Sequence, residues 1–494
     1  MMQPRQPRWL LHGFKGLSPI TTQARHIHTQ SLRKVSTTAS VPTDEIASVS
    51  TLTASPTRSH PRRPLSLLPF PVLLRSYALT AVSTYPLLLS PSLRVLSYVA
   101  NSSSALLNPD RNPIIRYLLK KTFYAQFCAG ETIDEVKRTV KGLKEMGYKG
   151  VILGYGREIV LKKESKLEAC AAATEVEVQR NEDVVQAWKE GNLKTVEMAE
   201  GGDFIALKFS GAGCDAIHQL AATLPPSKSI EEAITEICEL AKARGVRLLF
   251  DAEQDAVQRG IDAWTLRFQR RYNETSLDQA TVYGTYQAYL RSTPANLARH
   301  LMYAQQEGFT LGVKLVRGAY MSSDPRHLFW SSKEETDRAY NGIAEALITR
   351  RWNNVLKPLA EANLDKVPET AFVLASHNHE TVKKATALRM EQVKKGEPKI
   401  EMAYGQLMGM ADEVSCELVM TAKARGMVPF EKSESVGPKA YKYAVWGSVG
   451  ECAKYLVRRA EENRDAVTRA KGTRAALKAE IWARLWAFRR PSLG

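Results

Sequence analysis

The sequence predicts an α/β protein, a TIM-like (β/α)8 barrel with an N-terminal helical and targeting extension and helical insertions. Two observations predict it. From about residue 120 onward, short β-branched apolar runs alternate with longer amphipathic stretches, the pattern of βαβ units around a parallel sheet. Eight such units fit into the roughly 340 residues that follow, which is the count of this barrel.

The strand candidates are 149–153, 204–208, 246–250, 281–284, 312–316, 372–375, 400–404 and 441–445. Helical periodicity lies between them, at 131–145, 230–243, 296–307 and 380–395. Two stretches, 156–202 and 324–370, are longer than simple connections and are expected to be helical insertions. Chemistry in such a barrel sits at the C-terminal ends of the strands. Those ends carry Lys208, Ser210, Asp251, Glu253, Gln254, Gln287, Arg317, His377, Asn378 and Gln406.

The net charge is +17 over 494 residues, but it is unevenly placed. Residues 1–120 hold 14 Lys/Arg against 3 Asp/Glu, and 464–494 hold 8 against 2. The body between them is neutral. A nucleic-acid-binding domain would carry the excess on its folded body, so basic ends point to targeting and to an anionic membrane instead. The six cysteines are scattered with no CxxC pair, so reduced thiols are expected rather than a zinc site or a disulfide framework.

Residues 1–43 contain no Asp or Glu and are rich in Arg, Ser and Thr, the composition of an organelle transit peptide. Composition alone does not separate a mitochondrial from a chloroplast address. Residues 44–119 form a Pro-rich extension. Its longest uncharged run, 76–93, is broken by Pro86 and Pro91, which favours helices on the domain or on a membrane surface over a span. Residues 120–467 would be the barrel. Residues 468–494 read as a basic amphipathic helix, with Leu477, Ile481, Leu485 and Phe488 at helical spacing beside Trp482 and Trp486.

The motifs then become specific. LLFDAEQDA (248–256), GVKLVRGAYM (312–321), LASHNHETV (374–382), YGQLMGMADEVS (404–415) and YLVRRAEENRDAV (455–467) occur in order, preceded by FYAQFCAGET (123–132). Together they resemble the proline dehydrogenase family of the eukaryotic, fungal mitochondrial type. That resemblance implies a distorted (β/α)8 barrel, non-covalent FAD, and oxidation of L-proline to Δ1-pyrroline-5-carboxylate. It also implies electron transfer to ubiquinone at the matrix side of the inner mitochondrial membrane, with no role for nucleic acid.

By the same resemblance, Arg458 and Arg459 clamp the substrate carboxylate, and Glu462, one helical turn on, holds them. Adjacent planar guanidiniums suit that task. Tyr443 packs on the proline ring, Tyr320 and Leu315 line the substrate pocket, and Lys208 and Asp251 set its charge. Gln287, Lys314, Val316, Arg317, Gly318, Ala319, His377 and Asn378 match the flavin-binding positions. Bacterial relatives carry Arg then Lys where this chain has Lys314 then Arg317, so which cation meets flavin N5 stays open. His377 and His379 lack a third ligand for a metal.

Three other readings remain. Gly211-Ala-Gly213-Cys-Asp-Ala216 fits a short dinucleotide fingerprint. Hydroxyproline dehydrogenase shares the barrel and the clamp. A non-catalytic basic membrane- or nucleic-acid-binding protein explains the charge but not the polar strand ends.

Overall fold

The computed structural model describes residues 63–102, 104, 106–156, 175–274, 280–360, 364–426, 437–465 and 467–489. The expected transit segment 1–43 lies outside the described residues. Eight parallel strands close a barrel: β2 (Gly150–Tyr155), β3 (Phe204–Leu207), β4 (Arg247–Phe250), β5 (Val282–Gln287), β6 (Leu311–Val316), β7 (Thr370–Ala375), β8 (Met402–Leu407) and β9 (Ala440–Trp446). β9 returns to β2 in parallel register, Ile152 opposite Tyr443. A short β1 (Cys128–Gly130) extends the end of β9.

The helices follow the strands. N-terminal α1 (Phe70–Thr84), α2 (Pro86–Asn101) and α3 (Pro113–Leu119) precede the barrel, and α4 (Ile133–Met146) leads into β2. Thr132 caps α4 by accepting from Glu135 N, and Gly147 ends it in the left-handed conformation. Then come α5 (Glu175–Met198), α6 (Cys214–Ala221), α7 (Lys228–Ala243), α8 (Asp255–Tyr272) and α9 (Thr293–Glu307). They are followed by α10 (Lys333–Thr349), α11 (His379–Lys395), α12 (Asp412–Gly426), α13 (Val449–Asp465) and α14 (Val467–Arg489). Among the described residues, the two long connections contain α5 and α10, each serving as the crossover of its own unit.

Strand alternation sorts the side chains into two cores. Ile152, Phe204, Leu249, Tyr283, Val373 and Tyr441 fill the barrel interior. Leu153, Ile205, Leu248, Val313, Leu315 and Phe372 face the helices. The base of the barrel is plugged by Arg247, whose guanidinium lies 3.7 Å from the Phe204 ring centroid, pairs with Glu401 at 2.6 Å and donates to Tyr441 Oη at 2.9 Å. With that end closed, only the C-terminal mouth is open for a ligand.

Four cysteines are free and buried. The C-terminal helix packs along α1: Leu477 joins Leu65, Leu68 and Leu73, and Arg484 donates to Leu65 O and Ser66 O at 3.1 and 3.2 Å. Among the described residues no helix is long and apolar enough to cross a membrane.

His300 on α9 gives the fold a pH dependence. Its Nδ1 shares a 2.8 Å hydrogen bond with Tyr286 Oη, and the side chain is buried. Burial, then the Arg299 and Arg270 charges, depress its pKa to about 4. The unfolded chain takes up a proton near the ordinary value and the folded chain does not, so stability is present above that value and is lost as pH falls toward about 4. Urea unfolding should show about 2 kcal/mol lost through this residue between about pH 7 and about pH 5. His300→Gln should remove that share of the slope; an identical slope would contradict the assignment.

Candidate active site at the barrel mouth

A cavity of about 600 Å³ opens at the C-terminal ends of the strands. Its floor is built where β4, β6 and β9 present polar side chains to the interior. Lys314, buried on β6, pairs with Asp251 just beyond β4. Tyr443 Oη donates to the other carboxylate oxygen at 3.1 Å, and the Lys314 ammonium lies 5.2 Å from the Tyr443 ring centroid. Cation, carboxylate and phenol thus satisfy one another in a space that water only partly reaches. The neighbouring strand makes room: a Cβ on Gly154 would stand 3.1 Å from Tyr443 Oη.

Lys208, beyond β3, lines one side of the cavity, and its carbonyl accepts from Trp188 Nε1 at 3.0 Å. Arg459 and Tyr455, from α13, also line it; Arg459 is buried, with its guanidinium 5.0 Å from the Tyr455 ring centroid. Arg458 and Glu462 belong to the same helix. Their side chains lie outside what the structure describes. Tyr320 also lines the cavity.

Leu315 does not. It is fully buried and faces the outer helices, where Tyr340 Oη donates to its carbonyl at 3.0 Å. The expectation that it lines the substrate pocket is corrected by strand alternation, because Lys314 and Val316 on either side take the inward positions.

The remaining expected residues line the same cavity. Gln287 is buried; its amide donates to Glu253 O at 3.1 Å and its oxygen accepts from Ala319 N at 3.4 Å. Val316, Gly318 and Ala319 continue from β6. Arg317 is held away from the floor, donating to Asp337 (2.8 Å), Ser376 Oγ (2.7 Å) and Thr381 Oγ1 (2.9 Å). Burial raises the Asp337 pKa, but hydrogen bonds from Lys333 and Arg317 outweigh it and leave the carboxyl below its ordinary value. His377 Nε2 accepts from Leu407 N at 3.1 Å, which leaves the proton on Nδ1. Asn378 lines the cavity and also caps α11, accepting from Thr381 N at 3.0 Å.

Several lining residues were not singled out as site residues from the sequence. Gln406 is buried; its amide donates to Ser376 O, while its Oε1 has no protein partner. Thr285 Oγ1 is likewise buried and unsatisfied. Orphaned acceptors beside a cavity are costly unless a ligand completes them. They suit a planar ring system with polar edges. Trp330, Ser332, Lys333 and Thr336 also line the cavity. The Ser332-x-x-Glu335 capping box was the available signal for this rim.

Gly318 fixes the turn that follows β6. Its φ is +140°, and a Cβ there would fall 1.5 Å from the Tyr289 ring. Tyr289 is itself anchored, donating to Asp324 Oδ2 at 2.8 Å. Gly318→Ala should cost about 3 kcal/mol or more by chemical denaturation. Adding Tyr289→Ala should relieve part of that, so the double variant should lose less than the sum of the singles. Strict additivity would show that the ring does not set the constraint.

The comparisons with known proteins agree with this architecture. Residues 136–471 match the family model described as Proline dehydrogenase. A probable mitochondrial proline dehydrogenase of Schizosaccharomyces pombe is 28% identical over 416 residues, covering 76% of this chain and 81% of that protein. A hydroxyproline dehydrogenase of Rattus norvegicus is 26% identical over 425 residues, covering 74% and 83%. The crystal structure of proline utilization A from Bdellovibrio bacteriovorus, inactivated by N-propargylglycine, superposes with a TM-score of 0.55 at 18% identity, a likeness of fold. It covers 78% of this chain, which spans only 38% of that larger one. The chain is a member of the proline dehydrogenase family of enzymes.

Proposed function

We propose that the chain oxidises L-proline to Δ1-pyrroline-5-carboxylate with FAD as the hydride acceptor, and that its electrons pass to ubiquinone. The observation that carries this reading is the convergence of Arg459, Lys208 and the Lys314–Asp251–Tyr443 cluster in one cavity that also presents the unsatisfied Gln406 Oε1 and Thr285 Oγ1.

Arg459 and its neighbour Arg458 would grip the substrate carboxylate in a fork of donors, with Glu462 orienting them. The Tyr443 ring would pack on the pyrrolidine. Clustered cations at Lys208, Lys314 and Arg459 favour the neutral secondary amine, whose lone pair drives loss of hydride from the adjacent ring carbon. The nitrogen lone pair closes the C=N bond as the hydride departs, and the resulting iminium gives up its N–H proton to water at the cavity mouth. When bound in this cavity, FAD would supply the two-electron acceptor. Gln287, Gln406 and Thr285 would meet the polar edge of its ring system, and His377, Asn378 and Arg317 the more distant portion. Lys314 is the cation directed at the floor, and Arg317 is spent on Asp337, Ser376 and Thr381, so Lys314 would serve the ring nitrogen near the reacting carbon and stabilise charge that gathers there on reduction.

The organisation expected from the sequence fits this role: 1–43 a mitochondrial transit peptide, 44–119 an extension, 120–467 the catalytic barrel, and 468–494 a basic C-terminal helix. The named mitochondrial relatives support a mitochondrial address; a peripheral place on the matrix side of the inner membrane follows from the proposed electron transfer to ubiquinone. Oxidation of hydroxyproline is a second reading, favoured by the likeness to hydroxyproline dehydrogenases. Tyr443 on the ring disfavours a ring substituent.

The purified protein should be yellow, and L-proline should bleach its flavin spectrum in the absence of oxygen. Arg459→Met should raise KM for L-proline about a hundredfold, with flavin content retained. L-proline should be preferred to 4-hydroxyproline in kcat/KM. A colourless protein, or faster turnover of the hydroxylated substrate, would overturn the proposal.

A further inference from the structure

The N-terminal helices carry apolar surface that the fold leaves open. Leu96 and Val99 are buried as α2 packs on α13. On the outer side Leu87 is 89% exposed, Val95 64% and Tyr98 67%. The chain continues into α3, where Ile114, Tyr117 and Leu118 are 69%, 63% and 57% exposed. Single exposed apolar residues are ordinary; six large ones on one short stretch mark an interaction surface.

Charge selects the partner. From 85 to 124 there are five Lys/Arg and one acidic residue, Asp110. Asp110 is turned to the body, accepting from Gly450 N at 3.0 Å. Arg116 and Lys120 are answered by Glu131, and Lys120 also by Glu135. Arg94, Arg111 and Lys121 are exposed among the apolar side chains, with Lys121 Nζ 5.9 Å from the Tyr117 ring centroid. Apolar groups, tyrosines with polar tips and interleaved cations match the headgroup boundary of an anionic bilayer. A second copy seated across a two-fold axis would oppose like charges. The C-terminal helix is less suited, because Arg474 and Arg484 donate to Thr84, Leu65 and Ser66.

We propose that the outer face of α2 and α3 seats the protein on an anionic phospholipid bilayer, with the helices in the plane of the interface. The surface draws its use from the proposed function: α2 covers α13, the helix that brings Tyr455 and Arg459 to the cavity, so a seated bilayer with its quinone lies one helix layer from the redox site.

The test uses the full chain and two sets of vesicles, phosphatidylcholine alone and phosphatidylcholine with about a third cardiolipin, a content that gives the surface a negative potential. The chain should co-sediment with the anionic vesicles and be released by salt. Val95→Asp/Tyr98→Asp/Tyr117→Asp should lower partitioning by about tenfold or more. Arg94→Glu/Lys121→Glu should lower it on anionic vesicles alone. L-proline reduction of a soluble dye should be unchanged in both, and should also report correct folding. Turnover with quinone embedded in the vesicles should fall in parallel with partitioning. Unchanged partitioning of both variants, equal binding of the parent chain to neutral vesicles, or loss of a dimer in place of vesicle binding would overturn the inference. If the parent chain failed to oxidise L-proline, the proposed function would fall while vesicle partitioning would still decide the surface.

Discussion

A lysine emerging inside the mouth of a closed barrel must be answered by a carboxylate, and the geometry of this site follows from that requirement. Lys314 is directed inward by strand alternation and is buried. Unpaired, it would carry a desolvation cost large enough to unseat the strand. Asp251 meets it from beyond β4, and the second carboxylate oxygen then accepts from Tyr443 on β9. Three strands are thereby tied at the level where chemistry takes place. A Cβ at Gly154 on β2 would crowd this phenol, standing 3.1 Å from Tyr443 Oη.

Much of this was legible in the sequence, for a physical reason. Eight apolar runs separated by helical periodicity leave few arrangements other than a barrel, and each predicted strand overlaps one that forms. The inward positions on β6 followed less surely. Leu315 belongs to the substrate pocket by resemblance, yet period-two alternation turns it to the helices once Lys314 and Val316 point inward. The sequence could not rank Lys314 against Arg317 because both cations lie in one short motif. Their partners differ, and those of Arg317, namely Asp337, Ser376 and Thr381, lie 20, 59 and 64 residues from it in the sequence. Gln406 stood among the polar strand ends, but its unsatisfied oxygen is visible only with neighbours in place. Trp330, Lys333 and Thr336 were missed because they belong to a crossover rather than a strand end.

The charge excess divides in the same way. Its uneven placement was a property of the sequence, while the use of each cation is a property of the fold. Along the C-terminal helix Arg474 and Arg484 donate to the N-terminal segment, so part of a basic face works as mortar between the chain's two ends. Arg247 is spent at the base of the barrel, where a guanidinium among aromatic rings replaces an apolar plug. Position relative to the barrel mouth separates these structural cations from those available to a substrate.

The most direct measurement is a double-mutant cycle across the barrel floor, with Lys314→Met, Asp251→Asn and their combination followed both by urea unfolding and by kcat/KM for L-proline. A shared ion pair predicts strong coupling, about 2 kcal/mol in stability, with the double variant less damaged than the singles together imply. Independent, additive losses in both quantities would contradict a floor organised by that pair.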